Sequence, residues 1–214
     1  MSSGEFRDRL TARAARARVA VTTQEIDQIE KYYRLLTRWN RTINLTSLRL
    51  DAPGDSTLDR LLIEPLAAAG SVPDSPGRWI DLGSGGGSPA VPLKIVRPQL
   101  TLTMVEARER KAAFLREAAR DLALPGVEVM SERLEMLPNR RRDLAGLHTL
   151  VTVRAVRIDV SLLSLCRWLL APGGRLLLFG AKDISDGKNT QFEGVELVDL
   201  GVEGSNLLIL TAGV

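Results

Sequence analysis

In Trp79-Ile-Asp-Leu-Gly-Ser-Gly-Gly-Gly-Ser88 an apolar strand runs into Asp81 and then into glycines at 83, 85, 86 and 87. Glycine removes the Cβ barrier, so the backbone can turn sharply and come close to a ligand. A helix that follows such a turn offers its unpaired N–H groups. The stretch therefore reads as a cradle for an adenine-bearing cofactor. Glu106 ends the next apolar run, Leu100-Thr-Leu-Thr-Met-Val105, at the distance where a ribose-binding carboxylate is expected. The plainer alternative is a turn that only joins strand to helix, with Glu106 as a helix N-terminal acid.

On the C-terminal side of this stretch the texture alternates between strand and helix. Apolar strands are expected near residues 78–82, 100–105, 127–130, 147–153, 175–180, 195–200 and 206–211. Such alternation argues for a parallel sheet covered by helices on both faces. Only Gly201 to Ser205 separate the last two strands, too few residues for a crossover helix, so that pair must be antiparallel. The helix from about Glu109 to Leu122 carries Ala112, Leu115, Ala119 and Leu122 on one side and reads as a cover helix.

On the N-terminal side the chain reads as helical. Thr22 and Glu25 have capping-box spacing, and Ile26, Ile29, Tyr33 and Leu36 recur at helical intervals, with Tyr32, Leu35 and Trp39 widening the face. A looser segment with Pro53-Gly54 leads to a second apolar helix near Leu58 to Ala69, and Ser71 to Gly77 reads as a linker. Residues 1–20, rich in Ala and Arg without a sharp apolar stripe, are expected to form a frayed arm or a helix that forms only on contact. The expected organisation is a basic arm over 1–21, a small helical layer over 22–76 and an α/β domain over 77–214.

Composition sets limits on the chemistry. With 214 residues, 44% hydrophobic and 26% charged, the chain has the make-up of an ordinary water-soluble globular protein. No apolar run approaches the length of a membrane span and the Arg-dotted start lacks the apolar core of a secretory signal, so a cytoplasmic protein is expected. One cysteine, Cys166, and one histidine, His148, exclude the usual zinc clusters. The formal charge is +3, and arginines cluster at positions 7, 9, 13, 16 and 18 and at 140–142. That clustering fits an anionic partner or a solvated basic face.

A nicotinamide fingerprint would continue Gly83 and Gly85 with glycine or alanine at position 88, where this chain has serine. The spacing Asp81-x-Gly83-x-Gly85-x-Gly87 instead resembles S-adenosylmethionine-dependent methyltransferases. So do Ala171-Pro172-Gly173-Gly174-Arg175 before an apolar strand and the antiparallel last strand. More closely, the run from Asp81 to Pro98 resembles the RsmG (GidB) family, as do Glu106 with Arg110-Lys111-x-x-Phe114-Leu115, Arg133-Leu-Glu135 and Val153-Arg154-Ala155-Val156. Trp39-Asn40-Arg-Thr-Ile-Asn44-Leu45-Thr46 adds to the likeness, which runs in order over residues 25–182.

That resemblance implies a Rossmann-like class I methyltransferase: a mostly parallel seven-stranded sheet with an antiparallel last strand, preceded by a small helical layer. It implies transfer of a methyl group from S-adenosylmethionine to guanine N7 in 16S ribosomal RNA, with ribosomal RNA or the small subunit as partner and no metal. The cofactor contacts it implies are Gly83, Ser88, Leu134, Glu135 and Arg154, beside Asp81, Gly85, Gly87 and Glu106 from the cradle. Arg154 would position the reactants without a general base, because guanine N7 carries a free lone pair. Lys182 and Asn44 are candidate substrate contacts. The chain departs from the family in its second helix, where Asp59-Arg-Leu-Leu-Ile-Glu-Pro65 replaces a usual His-x-x-Asp-Ser-Leu. A diverged methyltransferase for another RNA, a protein or a small molecule, or a non-catalytic binding relative, would keep the same cradle. His148, Cys166, Trp39, Tyr32 and Tyr33 read as packing residues.

Overall fold

The computed structural model describes residues 1–181, 183 and 192–213. Seven strands form one sheet: β1 (Arg78–Leu82), β2 (Thr101–Val105), β3 (Val127–Met130), β4 (His148–Arg154), β5 (Leu170–Phe179), β6 (Phe192–Asp199) and β7 (Asn206–Ala212). Their order is β3-β2-β1-β4-β5-β7-β6. The five left-hand strands are parallel, and β7 lies antiparallel to both β5 and β6. The expected antiparallel last pair is present, and β5 begins at Leu170, earlier than the sequence suggests.

The helices are α1 (Ser3–Arg16), α2 (Thr23–Asn40), α3 (Asp55–Leu58), α4 (Glu64–Ala68), α5 (Ala90–Val96), α6 (Glu109–Asp121), α7 (Leu137–Arg140) and α8 (Val160–Leu169). Alternation along the strands sends side chains to two cores. Trp79, Leu102, Leu150, Leu177 and Leu207 join α1, α2, α5 and α6 on one face. Ile80, Val151, Leu176 and Leu208 join α7 and α8 on the other. By the same period of two, Asp81, Thr152 and Arg154 fall on the first face, the one that the N-terminal helices cover.

The capping box of α2 is formed as the spacing requires: Glu25 N donates to Thr22 Oγ1 (3.2 Å), and Thr22 N donates to the Glu25 carboxylate (2.6 Å). Tyr32 and Tyr33 are buried, and Trp39 packs edge-on to Phe114 at 5.9 Å. His148 and Cys166 are buried packing residues, with His148 Nδ1 3.1 Å from the Leu169 carbonyl.

The front of the chain corrects the sequence reading. Residues 3–16 form a capped helix whose Phe6, Leu10 and Ala14 are buried against the same core as α2. The stripe is only three residues wide among arginines, which is why it is inconspicuous in the sequence. The arginines are engaged internally as well. Arg7 pairs with Asp27 and Glu30, Arg9 with Asp55, and Arg13 with Asp55 and Asp59. Arg140 and Arg141 pair with Glu132 and Asp143. Most of the clustered charge therefore ties helices and turns together.

The second helix is also more broken than periodicity indicates. Between α3 and α4 the chain makes a π-type turn, Asp59–Ile63, in which Glu64 N donates to the Asp59 carbonyl. Pro65 follows and has no N–H to give to the carbonyls four and five residues earlier, those of Leu61 and Arg60. The missing N–H and the change of register at the π-type turn together leave two backbone acceptors open at one point on the helical layer.

Candidate active site

The chain runs from β1 leftward to β2 and β3 and then returns to β4, so β1 and β4 are neighbours whose connections leave in opposite directions. Open α/β sheets bind ligands in the crevice at such a point, outside the carboxyl ends of the strands. Here the crevice holds a cavity of about 590 Å³ lined by Gly83, Gly85, Gly86, Ser88, Glu106, Arg154 and Ala155. Its roof is Leu36 of α2 and the segment Leu45–Leu48. A second cavity of about 370 Å³ continues from it over Glu132, Leu134 and Glu135. Gly83, Glu106 and Arg108 line both.

The glycine loop is held from below and above. Gly83 N and Ser84 N donate to the Val105 carbonyl, which stitches the loop to the end of β2. Gly83 sits at φ 73°, and a Cβ there would approach Val156 Cγ2 to 2.8 Å. From above, the buried Tyr32 hydroxyl donates to the Gly86 carbonyl at 2.7 Å. Burial raises the Tyr32 phenol well beyond its ordinary range, so it stays a donor. Asn40 Oδ1 accepts from Leu45 N and Thr46 N (2.9 and 3.0 Å) and shapes the roof.

Glu106 stands where the two cavities meet. Its Oε2 accepts from Gly85 N at 2.9 Å and its Oε1 from Arg108 N at 2.8 Å, so the carboxylate is aimed by the backbone on either side. Each oxygen keeps a further lone pair for a ligand hydroxyl. Leu134 is half-buried and Glu135 exposed at the far end, in the turn Leu134–Met136.

Arg154 closes the near end. Its Nη1 donates to the Arg60 carbonyl (2.5 Å) and to Ser88 Oγ (2.9 Å), and its Nη2 donates to Glu64 Oε2 (2.5 Å). The guanidinium lies 4.5 Å from the Phe179 ring centroid. Ser88 Oγ in turn donates to the Leu61 carbonyl at 2.8 Å, so Ser88 and Arg154 fill the two acceptors left open by Pro65 and the π-type turn. Burial pulls Arg154 down to about 10, with Glu64 opposing the fall, and it remains charged at neutral pH. Ala155, next in the chain, lies at φ 56°, a left-handed conformation rare for a residue with a side chain.

Not every residue singled out in the sequence faces the cavity. Asp81 lies beneath the loop: Trp79 Nε1 donates to Thr152 Oγ1 (2.8 Å), and Thr152 donates to Asp81 Oδ1 (2.5 Å). Asp81 Oδ2 has no partner among the described residues, and burial pushes the carboxyl up to about 6. Gly87 packs under the loop, where a Cβ would meet Val91, Leu115 and Tyr32. Asn44 is exposed and outside the cavity wall, while its neighbours Leu45 and Thr46 are in it. Lys182 lies outside the described residues. Sequence reasoning missed Tyr32 as a loop clamp, Asn40, Arg60 and Glu64. The acidic position in the second helix was visible, but its partner lies far along the chain.

A model of the family described as "rRNA small subunit methyltransferase G" (GidB) matches residues 25–198. The chain belongs to this family. Among relatives of that name, the Paracoccus denitrificans protein is 35% identical over 165 residues, covering 75% of this chain and 79% of its own length. The Chromobacterium violaceum protein is 30% identical over 200 residues, covering 92% and 87%. The Xanthomonas euvesicatoria protein is 38% identical over 149 residues, covering 69% and 65%. The fold is that of class I methyltransferases. A predicted O-methyltransferase of Agrobacterium tumefaciens superposes with a TM-score of 0.56 at 18% identity, over 71% of this chain and 81% of its own. A putative S-adenosylmethionine-dependent methyltransferase of Methanococcus maripaludis gives 0.53 at 13% identity, over 74% and 90%.

As a GidB-family methyltransferase, the chain uses S-adenosylmethionine as its cofactor. The residues present fit that molecule: an elongated pair of cavities, a glycine-lined wall, a carboxylate with open lone pairs at the junction, and a cation with a hydroxyl at one end. No helix among the described residues is long and apolar enough to cross a membrane. No group of three or more His, Cys, Asp or Glu among the described residues is placed to hold a metal ion.

Proposed function

We propose that this protein methylates N7 of a guanine in the 16S ribosomal RNA of the small subunit, acting in the cytoplasm. The observation that carries the reading is the end of β4, where Arg154-Ala155-Val156-Arg157 offers no side chain able to take up a proton. An exocyclic amine or a hydroxyl must lose a proton on methylation; guanine N7 has a free lone pair and needs only alignment and exclusion of water. Bound S-adenosylmethionine supplies an electrophilic methyl group on a sulfonium.

The chain's own residues divide the remaining work. Glu106 accepts hydrogen bonds from the ribose hydroxyls, and the turn at Leu134 and Glu135 receives the adenine. Arg154, braced by Ser88 Oγ, holds the carboxylate of the methionine part. Three of the five N–H groups of Arg154 are taken by protein acceptors, which leaves two for that anion. The roof over Leu45–Leu48 keeps water from the crevice. Exposed Arg60 and Arg108 on the cavity wall, Arg133 beside Leu134 and Arg157 beyond Arg154 form a cationic margin for the RNA backbone.

The test is methyl transfer from labelled S-adenosylmethionine to small ribosomal subunits lacking their own guanine-N7 methylation, with the modified base identified by mass spectrometry. Label at guanine N7 is the expected result. Label elsewhere, or none despite cofactor binding, overturns the substrate assignment.

A further inference from the structure

Glu64 lies outside the glycine cradle, yet both of its oxygens are committed at the mouth of the site. Oε2 accepts from Arg154 and Oε1 accepts from Ser205 Oγ of the β6–β7 loop, both at 2.5 Å. The two side chains are 14% and 10% exposed, so the ion pair is largely withdrawn from water, where direction and charge count most. Arg154 and Glu64 both line a further cavity beside Phe179 and Asn206, and Arg154 also lines the glycine-walled one. The guanidinium thus stands between two spaces it could turn toward.

The second element is Pro65. Its missing N–H, together with the π-type turn before it, leaves the Leu61 carbonyl to Ser88 and the Arg60 carbonyl to Arg154. An ordinary residue at this position would supply a helical donor that competes for one of those acceptors. Glu64 and Pro65 act on the same guanidinium from two sides, one through charge and the other through an opened backbone.

We propose that Glu64, with Pro65 behind it, is a positioning residue that aims Arg154 and Ser88 into the cofactor cavity. Neither residue touches the cofactor; both act through Arg154 and Ser88. The proposal rests on the reading of that cavity as the S-adenosylmethionine site.

The experiment is a double-mutant cycle read by calorimetry with S-adenosylmethionine on the full chain: wild type, Glu64→Gln, Arg154→Met and the double variant, with the melting temperature recorded for each. Glu64→Gln keeps the shape and removes the charge. It is expected to weaken cofactor binding about tenfold with Arg154 present, and less than twofold with methionine at position 154. A structural role would lower the melting temperature and leave the two binding effects additive, and additive effects overturn the proposal. Pro65→Ala provides a second arm should Glu64→Gln not fold. It is expected to weaken binding several-fold, with no further loss when Ser88→Ala is already in place; an equal loss in both backgrounds overturns it. Binding is measured without RNA, so failure of the ribosomal assay leaves the cycle readable. A wild-type chain that does not bind S-adenosylmethionine overturns the site reading and this proposal together.

Discussion

Asp81 is the residue whose environment differs most from its sequence appearance. In the string Asp81-x-Gly83 it looks like a ligand contact, but the structure buries it under the loop with one oxygen bonded to Thr152 and the other without a partner among the described residues. Its folded-state carboxyl is raised to about 6, above the ordinary value, because burial disfavours the charge. Between about pH 4 and pH 6 the folded protein therefore holds a proton that the unfolded chain has released, and stability falls as pH rises through that window. Above it the cost of the buried charge is constant. Asp81→Asn should remove this dependence. In urea unfolding from pH 4 to pH 7, the stability of the variant relative to wild type is expected to grow by up to about 3 kcal/mol by pH 6, at about 1.4 kcal/mol per pH unit, and then level off. A difference that does not change with pH would refute the raised carboxyl, whatever its constant offset.

At the scale of elements, legibility followed periodicity. The seven strands announced themselves as apolar runs separated by turn residues, and α2 by a wide apolar face with its capping box. The short loop between β6 and β7 forced their antiparallel pairing. α1 did not announce itself, because Phe6, Leu10 and Ala14 make a narrow stripe and the arginines around them look like a tail. Those arginines are matched by acids on α2, α3 and the π-type turn, distant in sequence, so the matching could not be read locally. Phe6→Ala is accordingly expected to cost about 3–5 kcal/mol of stability, as for other large core truncations. It should leave the salt dependence of RNA binding unchanged. A loss under 1 kcal/mol in denaturant unfolding would restore the picture of a dispensable arm.

Across the whole molecule, the helical layer and the sheet share one core that runs from Phe6 to Ile209. The cradle was legible because its glycines, Asp81 and Glu106 sit at short, ordered spacings. The roof, the Tyr32 clamp and the Glu64 pair were not, because each depends on the N-terminal layer folding down onto the crevice. The expected boundary at residue 77 therefore divides textures of sequence that pack as one body. Residues 77–214 expressed alone should lack a cooperative thermal transition, since Trp79, Leu93, Phe114 and Leu177 would lose the helices that cover them. A sharp calorimetric melt of that fragment would make it an independent domain.

The strand order also has a consequence in time. β6 precedes β7 in the chain, yet among the described strands β6 borders only β7. Until β7 docks on β5, the folding chain carries β6 as a strand with nothing to pair, its Val195 and Leu197 turned outward even in the completed fold. In that interval of folding the chain is open to chaperones and to misassociation, and slower docking of β7 would prolong that exposure.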